Sequence, residues 1–184
     1  MKGVGYLSSQ GFSHRHKEGI LSAISAGFFL VLIGLLFIMN ASLGDKTINF
    51  FKDITLVNAT NTVTIGNTTS SVMLPAPAHV ADHIDVYSAV EQFSLIWGVF
   101  LVAILGLRFA VGAPTRRKAQ NVSDIVFWFG TAYLIQTWLI NNITTAVSQT
   151  QKWFEFWALI IVLLGASLIV RAIFLAVAGA THRQ

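Results

Sequence analysis

Four long apolar stretches alternate with polar segments along the chain, at residues 20–39, 87–111, 125–147 and 153–180. A helix needs about 20 apolar residues to cross a hydrocarbon core, so each stretch predicts a membrane-spanning helix. The first span is read over 20–42, after a tail over 1–19, and a long polar segment follows over 43–86. The second span covers 87–111, and a loop over 112–124, with Pro114 as a breaker, leads to the third at 125–147. A short turn over 148–152 precedes the fourth span at 153–180, and a tail closes the chain over 181–184. The fold class expected is an all-α integral membrane protein. Four transmembrane helices form a bundle, with a small extracytoplasmic β-hairpin element between helices 1 and 2.

The hairpin is expected from two β-branched runs, residues 54–57 and 62–65, on either side of Asn58-Ala59-Thr60-Asn61. Asparagines in a four-residue connection favour a hairpin loop. Residues 71–74 would add a third strand. A lone hairpin is marginal in water, so this element is expected to lean on helix ends or on a partner.

Composition agrees with the spans. The chain is 54% hydrophobic and 11% charged, against about 25% charged in a soluble domain. No cysteine is present, which excludes disulfides, thiolate metal sites and cysteine nucleophiles. Of 12 Lys and Arg residues, nine (Lys2, Arg15, Lys17, Arg108, Arg116, Arg117, Lys118, Arg171 and Arg183) fall on one side of the expected spans. Lys46, Lys52 and Lys152 fall on the other. The positive-inside rule then places both termini in the cytoplasm. The first apolar run exceeds the roughly 7–15 residues of a cleavable signal and no small-x-small site follows it, so it reads as a retained signal-anchor.

Polar positions inside the spans are the candidates for chemistry. Tyr133, Thr137, Asn141 and Thr145 lie four apart on the third span, with Gln136 and Thr144 beside them. Such a stripe either lines a polar pathway or supplies interhelical hydrogen bonds. Arg108, near its helix end, and Arg171 are costly in hydrocarbon: either the last span ends near Arg171, which then anchors at the interface with the following residues along the membrane surface, or its guanidinium is paired inside the protein, with Asp124 the nearest acid. Glu91 and Glu155 open the second and fourth spans, where a carboxylate suits the helix dipole. If a helix begins near Ala78, His79 and His83 share a face at i, i+4 with Asp82 beside them. Two imidazoles and a carboxylate at that spacing are a candidate site for one divalent transition metal. The other reading is a solvated helix start with no cofactor. Small residues recur at four-residue spacing at Ala23 and Gly27, at Gly106 and Ala110, and at Ala172, Ala176 and Ala180, which suits close helix packing.

No catalytic motif or cofactor fingerprint is present, so enzymatic activity is not expected. The function expected is an accessory or scaffolding subunit of a larger membrane complex. Its partners would be the lipid bilayer and other membrane subunits or a second copy of itself, with no nucleic acid. The alternatives are a small oligomeric channel or transporter using the third-span stripe, and a subunit of a membrane metalloenzyme using His79 and His83.

Overall fold

The structure, a computed structural model, describes residues 9–65, 68–141 and 149–181. The outermost tail residues, the end of the expected third span at 142–147, and Thr144 and Thr145 of its stripe lie outside the described residues.

The first helix, α1, runs Ser9–Met39. At Asn40, both the backbone N–H and the side-chain amide donate to the Leu36 carbonyl, at 3.1 and 3.3 Å. The chain then turns into a short helix, α2 (Leu43–Lys52), where the sequence predicts only loop. Leu43 is buried and Phe50 half-buried on one face. Asp45 in the first turn and Lys52 in the last both complement the helix dipole.

Two antiparallel strands follow, β1 (Ile54–Ile65) and β2 (Thr68–Pro77). A two-stranded element is present, but its turn is not where the asparagines suggest. Residues 58–61 lie inside β1, and the register shifts between Ala59 and Val63. The connection falls at 66–67, so the β-branched run 62–65 faces residues 68–70 rather than 54–57. The irregularity accommodates the central asparagines without ending the strand, as a bulge does. Residues 71–74 belong to β2 and form no third strand.

A 3-10 turn (Val80–His83) leads into α3 (Ile84–Ala110). Gly112, at φ +69°, ends α3, with Ala113 N–H donating to Arg108 O at 2.9 Å and Gly112 N–H to Phe109 O at 3.2 Å. That pair of bonds is a Schellman cap, whose left-handed position glycine occupies without a Cβ penalty. α4 (Thr115–Leu134) begins after Pro114 and continues as a π-helix over Ile135–Asn141. Most of the expected loop 112–124 is therefore helical. Arg116, Arg117 and Lys118 oppose the dipole in its first turn. Ala119, Asn121 and Ser123 are buried just beyond them, and that packing prevails. The last helix, α5 (Gln149–Thr181), is continuous through Arg171.

Three helical stretches are long and apolar enough to cross a membrane: Gly19–Met39, Val80–Ala110 and Gln149–Ala180, with mean hydropathies of 2.6, 2.1 and 2.7. α4 packs against both α3 and α5, and this interior position lets it carry polar residues. Asn121 Nδ2 donates to Leu101 O of α3 at 2.9 Å, and Ser123 Oγ donates to Ser167 O of α5 at 2.8 Å. Close approach occurs at Gly130, where a Cβ would lie 2.4 Å from Leu163 Cδ1. The small residues singled out in the sequence are elsewhere: a Cβ on Gly27 or Gly106 would meet nothing within 4 Å. α1 meets α3 through aromatic rings, with Phe28 and Phe100 stacked at 4.0 Å and Phe29 edge-on to Trp97 at 5.4 Å.

Candidate functional site

The chemistry-bearing residues gather at the hairpin end of the helices. Ala76 and Val80, at the foot of β2 and just after it, pack into one cluster with Tyr87, Ile135, Leu139, Trp153 and Phe156. In a strand alternate residues face opposite sides. Val57 and Ala76 therefore turn toward this core, while Leu56 and Met73 on the other face are 67% and 57% exposed.

Asp53, between α2 and β1, holds the junction. His79 Nδ1–H donates to its Oδ1 at 3.0 Å, and His83 Nε2–H donates to Oδ2 at 3.0 Å. The His79 backbone N–H also donates to Oδ2, at 2.8 Å. Ala78 N–H donates to the Asp53 carbonyl at 3.0 Å. The Phe50 ring stands edge-on to His83 at 5.2 Å. This clamp ties the helix before the ribbon to the turn after it.

The electrostatics follow from that geometry. The His79 imidazole, the His79 N–H and the His83 imidazole together hold the Asp53 carboxyl far below the usual carboxylate range. The Asp53 carboxylate, by hydrogen bond and by charge, raises His79 above its ordinary value. The clamp is strongest where Asp53 is ionised and His79 protonated. Because His79 is raised by folding, its contribution is complete below about 6.5, the usual imidazole value, and is lost as pH rises through the folded value. Because Asp53 is depressed, its contribution is present above about 3.9 and is lost as pH falls through its folded value. The ¹⁵N-imidazole NMR titration of His79 should thus have a midpoint above that of a free histidine. Asp53→Asn should return it to the ordinary value; an unchanged midpoint would contradict the clamp.

The sequence pairs the histidines with Asp82, but the carboxylate that touches both is Asp53. It is distant in sequence, and only the folding of α2 and the ribbon brings it there. Asp82 is exposed. Among the described residues no group of three His, Cys, Asp or Glu side chains is arranged to hold a metal ion.

The third-span stripe divides. Tyr133 is 66% exposed, Gln136 and Asn141 are exposed, and Thr137 is half-buried. Gln136 Nε2 donates to Asn141 Oδ1 at 3.4 Å. The buried face of this helix is Thr131, Ala132, Ile135 and Leu139, two residues out of phase with the stripe. Thr131, which carried no signal in the four-residue pattern, is the polar residue turned inward.

Glu155 lies in a network at the hairpin end, accepting from Lys152 Nζ at 2.5 Å, Gln151 Nε2 at 3.2 Å and Trp138 Nε1 at 3.3 Å. Glu91 is half-buried on α3. At the opposite end, Arg108 Nη1–H donates to Arg117 O at 2.9 Å. Half-buried Asp124 lies within electrostatic reach of both Arg108 and Arg171. Comparison with protein-family models, curated proteins and solved structures found no match.

Proposed function

We propose that the chain is a non-enzymatic subunit of a larger membrane complex, and that its ribbon is the surface presented to the partner. The observation that carries this reading is the exposed face of Leu56 and Met73 on a ribbon anchored by Asp53. Exposed apolar side chains on an element fixed in place mark an interaction surface. The two-stranded sheet also has both edges open among the described residues, which suits strand addition or side-on contact. Along the helices, Ala23 and Gly27, Gly106 and Ala110, and Ala172, Ala176 and Ala180 are all exposed. Small residues on such faces suit close packing against neighbouring membrane helices. A pathway along the third-span stripe would have to run between copies, because Tyr133, Gln136 and Asn141 face outward.

In this reading α4 and its π continuation make the fourth crossing. Their 27 residues, from Thr115 to Asn141, reach about 40 Å at 1.5 Å each. Both termini lie in the cytoplasm and the ribbon lies outside. The chain has no native cysteine, so single cysteines report topology cleanly. An impermeant thiol reagent applied to intact cells should label Asn58→Cys and spare Gln120→Cys and Ala180→Cys. Labelling of Gln120→Cys would remove the four-crossing arrangement.

The partner surface is tested by Leu56→Glu combined with Met73→Glu. Both side chains are exposed, so the double variant should insert and fold normally, yet migrate as the free chain on a native gel. Undiminished assembly of the double variant would place the contact elsewhere.

A further inference from the structure

At the end of the helices away from the ribbon, α1, α3 and the turn into α4 enclose a small cleft of about 80 Å³. It is lined by Leu21 and Ser22 of α1, Arg108 of α3, Ala113 of the turn and Arg117 of α4. That volume is far below the roughly 300–1,000 Å³ of a small-molecule site, so the cleft suits one polar group of a larger ligand. No acid is among the described residues that line it. Arg108 Nη1–H donates to Arg117 O at 2.9 Å, which holds the guanidinium across the turn. Arg116 and Lys118 stand on either side of Arg117 in the first turn of α4, with the Lys118 ammonium 4.5 Å from the Phe109 ring centre. Arg108, Arg116, Arg117 and Lys118 thus fall within one short segment that holds no acid. Half-buried Asp124 lies within electrostatic reach of Arg108 but does not line the cleft.

We propose that this cleft seats the phosphate of an anionic phospholipid, in the leaflet where the apolar stretch of α1 begins and that of α3 ends. Guanidinium and hydroxyl groups are the donors that bind phosphate oxygens, and a guanidinium does so with a planar fork. Depth decides between a lipid and a soluble phosphate. The apolar stretches have their ends at Gly19 and Ala110, so Ser22 and Arg108 lie roughly 3–5 Å inside those ends at 1.5 Å per residue. A phosphate held there sits at headgroup level. Leu107 and Phe109, beside Arg108 on α3, are exposed and offer acyl chains an apolar surface. The surrounding cations decide the kind of headgroup. They attract an anionic one and disfavour one that carries its own ammonium. Arg116, Arg117 and Lys118 also oppose the dipole of α4, and a phosphate beside them offsets that cost. The assignment needs α1 and α3 to cross the membrane, and is independent of the partner surface on the ribbon.

The test uses the full chain in phosphatidylcholine nanodiscs, with phosphatidylglycerol carrying a pyrene on one acyl chain as the probe. Energy transfer from the tryptophans of the chain to pyrene should saturate at a low mole fraction of the probe. Pyrene-labelled phosphatidylcholine should give only the unsaturated transfer of a randomly mixed lipid. Arg108→Gln combined with Arg117→Gln should raise the half-saturating mole fraction roughly tenfold or more, because hydrogen bonds to a charged group are lost. Lys52→Gln, an exposed cation at the opposite end, removes the same charge and should change nothing. Should the double variant fail to fold, Arg117→Gln alone keeps the carbonyl that Arg108 bonds and should shift the curve in the same direction. Equal transfer from the two lipids would overturn the assignment, as would an equal shift in Lys52→Gln or none in the arginine variants. Displacement of the probe by excess inorganic phosphate would give the cleft to a soluble anion and overturn the lipid.

Discussion

Val80→Asp should be the most damaging single substitution at the hairpin end. Val80 is fully buried at the turn between the ribbon and α3, among Ala76, Tyr87 and Leu139. The side chains packed around it in that cluster are apolar. An uncompensated buried charge costs on the order of 3–5 kcal/mol. Part of that cost is relieved by protonation, so burial should raise the introduced carboxyl above its ordinary value. The loss should then be largest at neutral pH and shrink as pH falls toward about 4. Thermal unfolding of wild type and variant in nanodiscs, at pH 7.5 and pH 5, measures both effects. A variant as stable as wild type at pH 7.5 would mean that the turn is not packed into the helices.

Trp153→Ala should be nearly as costly. Trp153 is the hub of the aromatic cluster, with ring centres at 6.1 Å to Phe50 and Tyr87 and 6.3 Å to Phe156. It joins α5 to α2 and α3 at once. Truncating a buried tryptophan costs about 3–5 kcal/mol, which lowers the unfolding temperature by about 10 °C or more for a chain of this size. Trp153→Phe keeps an aromatic ring in place, leaves a smaller cavity and should cost less than Trp153→Ala. Equal effects of the two variants would mean that a phenyl ring at 153 recovers none of the packing, and would contradict the role given to the ring contacts.

The long apolar helices were legible because length and hydropathy are properties of a single segment. α1, α3 and α5 fall where the apolar runs predict them, and α5 passes through Arg171 without a break. What depended on distant contacts was not legible. α2 is ten residues long and its inward face is little more than Leu43 and Phe50, too short a pattern to separate from loop. The turn of the ribbon was misplaced because asparagines at 58 and 61 are as turn-prone as residues 66–67, and only strand pairing decides between them. The histidine pair stood out by spacing, but its acid did not. Asp53 lies 26 residues before His79, and no local rule links them. Polar groups in lipid usually turn inward, which makes the stripe the expected buried face of the third span. Thr131, Ile135 and Leu139 take the buried positions instead. Only the helix on which they sit, not its orientation, is fixed by the local pattern.

The measurement that bears most directly on the subunit reading is native mass spectrometry of the chain released gently from its own membrane. The account predicts one defined heteromeric assembly, lost when Leu56 and Met73 are both replaced by glutamate. A chain that emerges only as a monomer, or as a homo-oligomer that conducts ions when reconstituted, would contradict it.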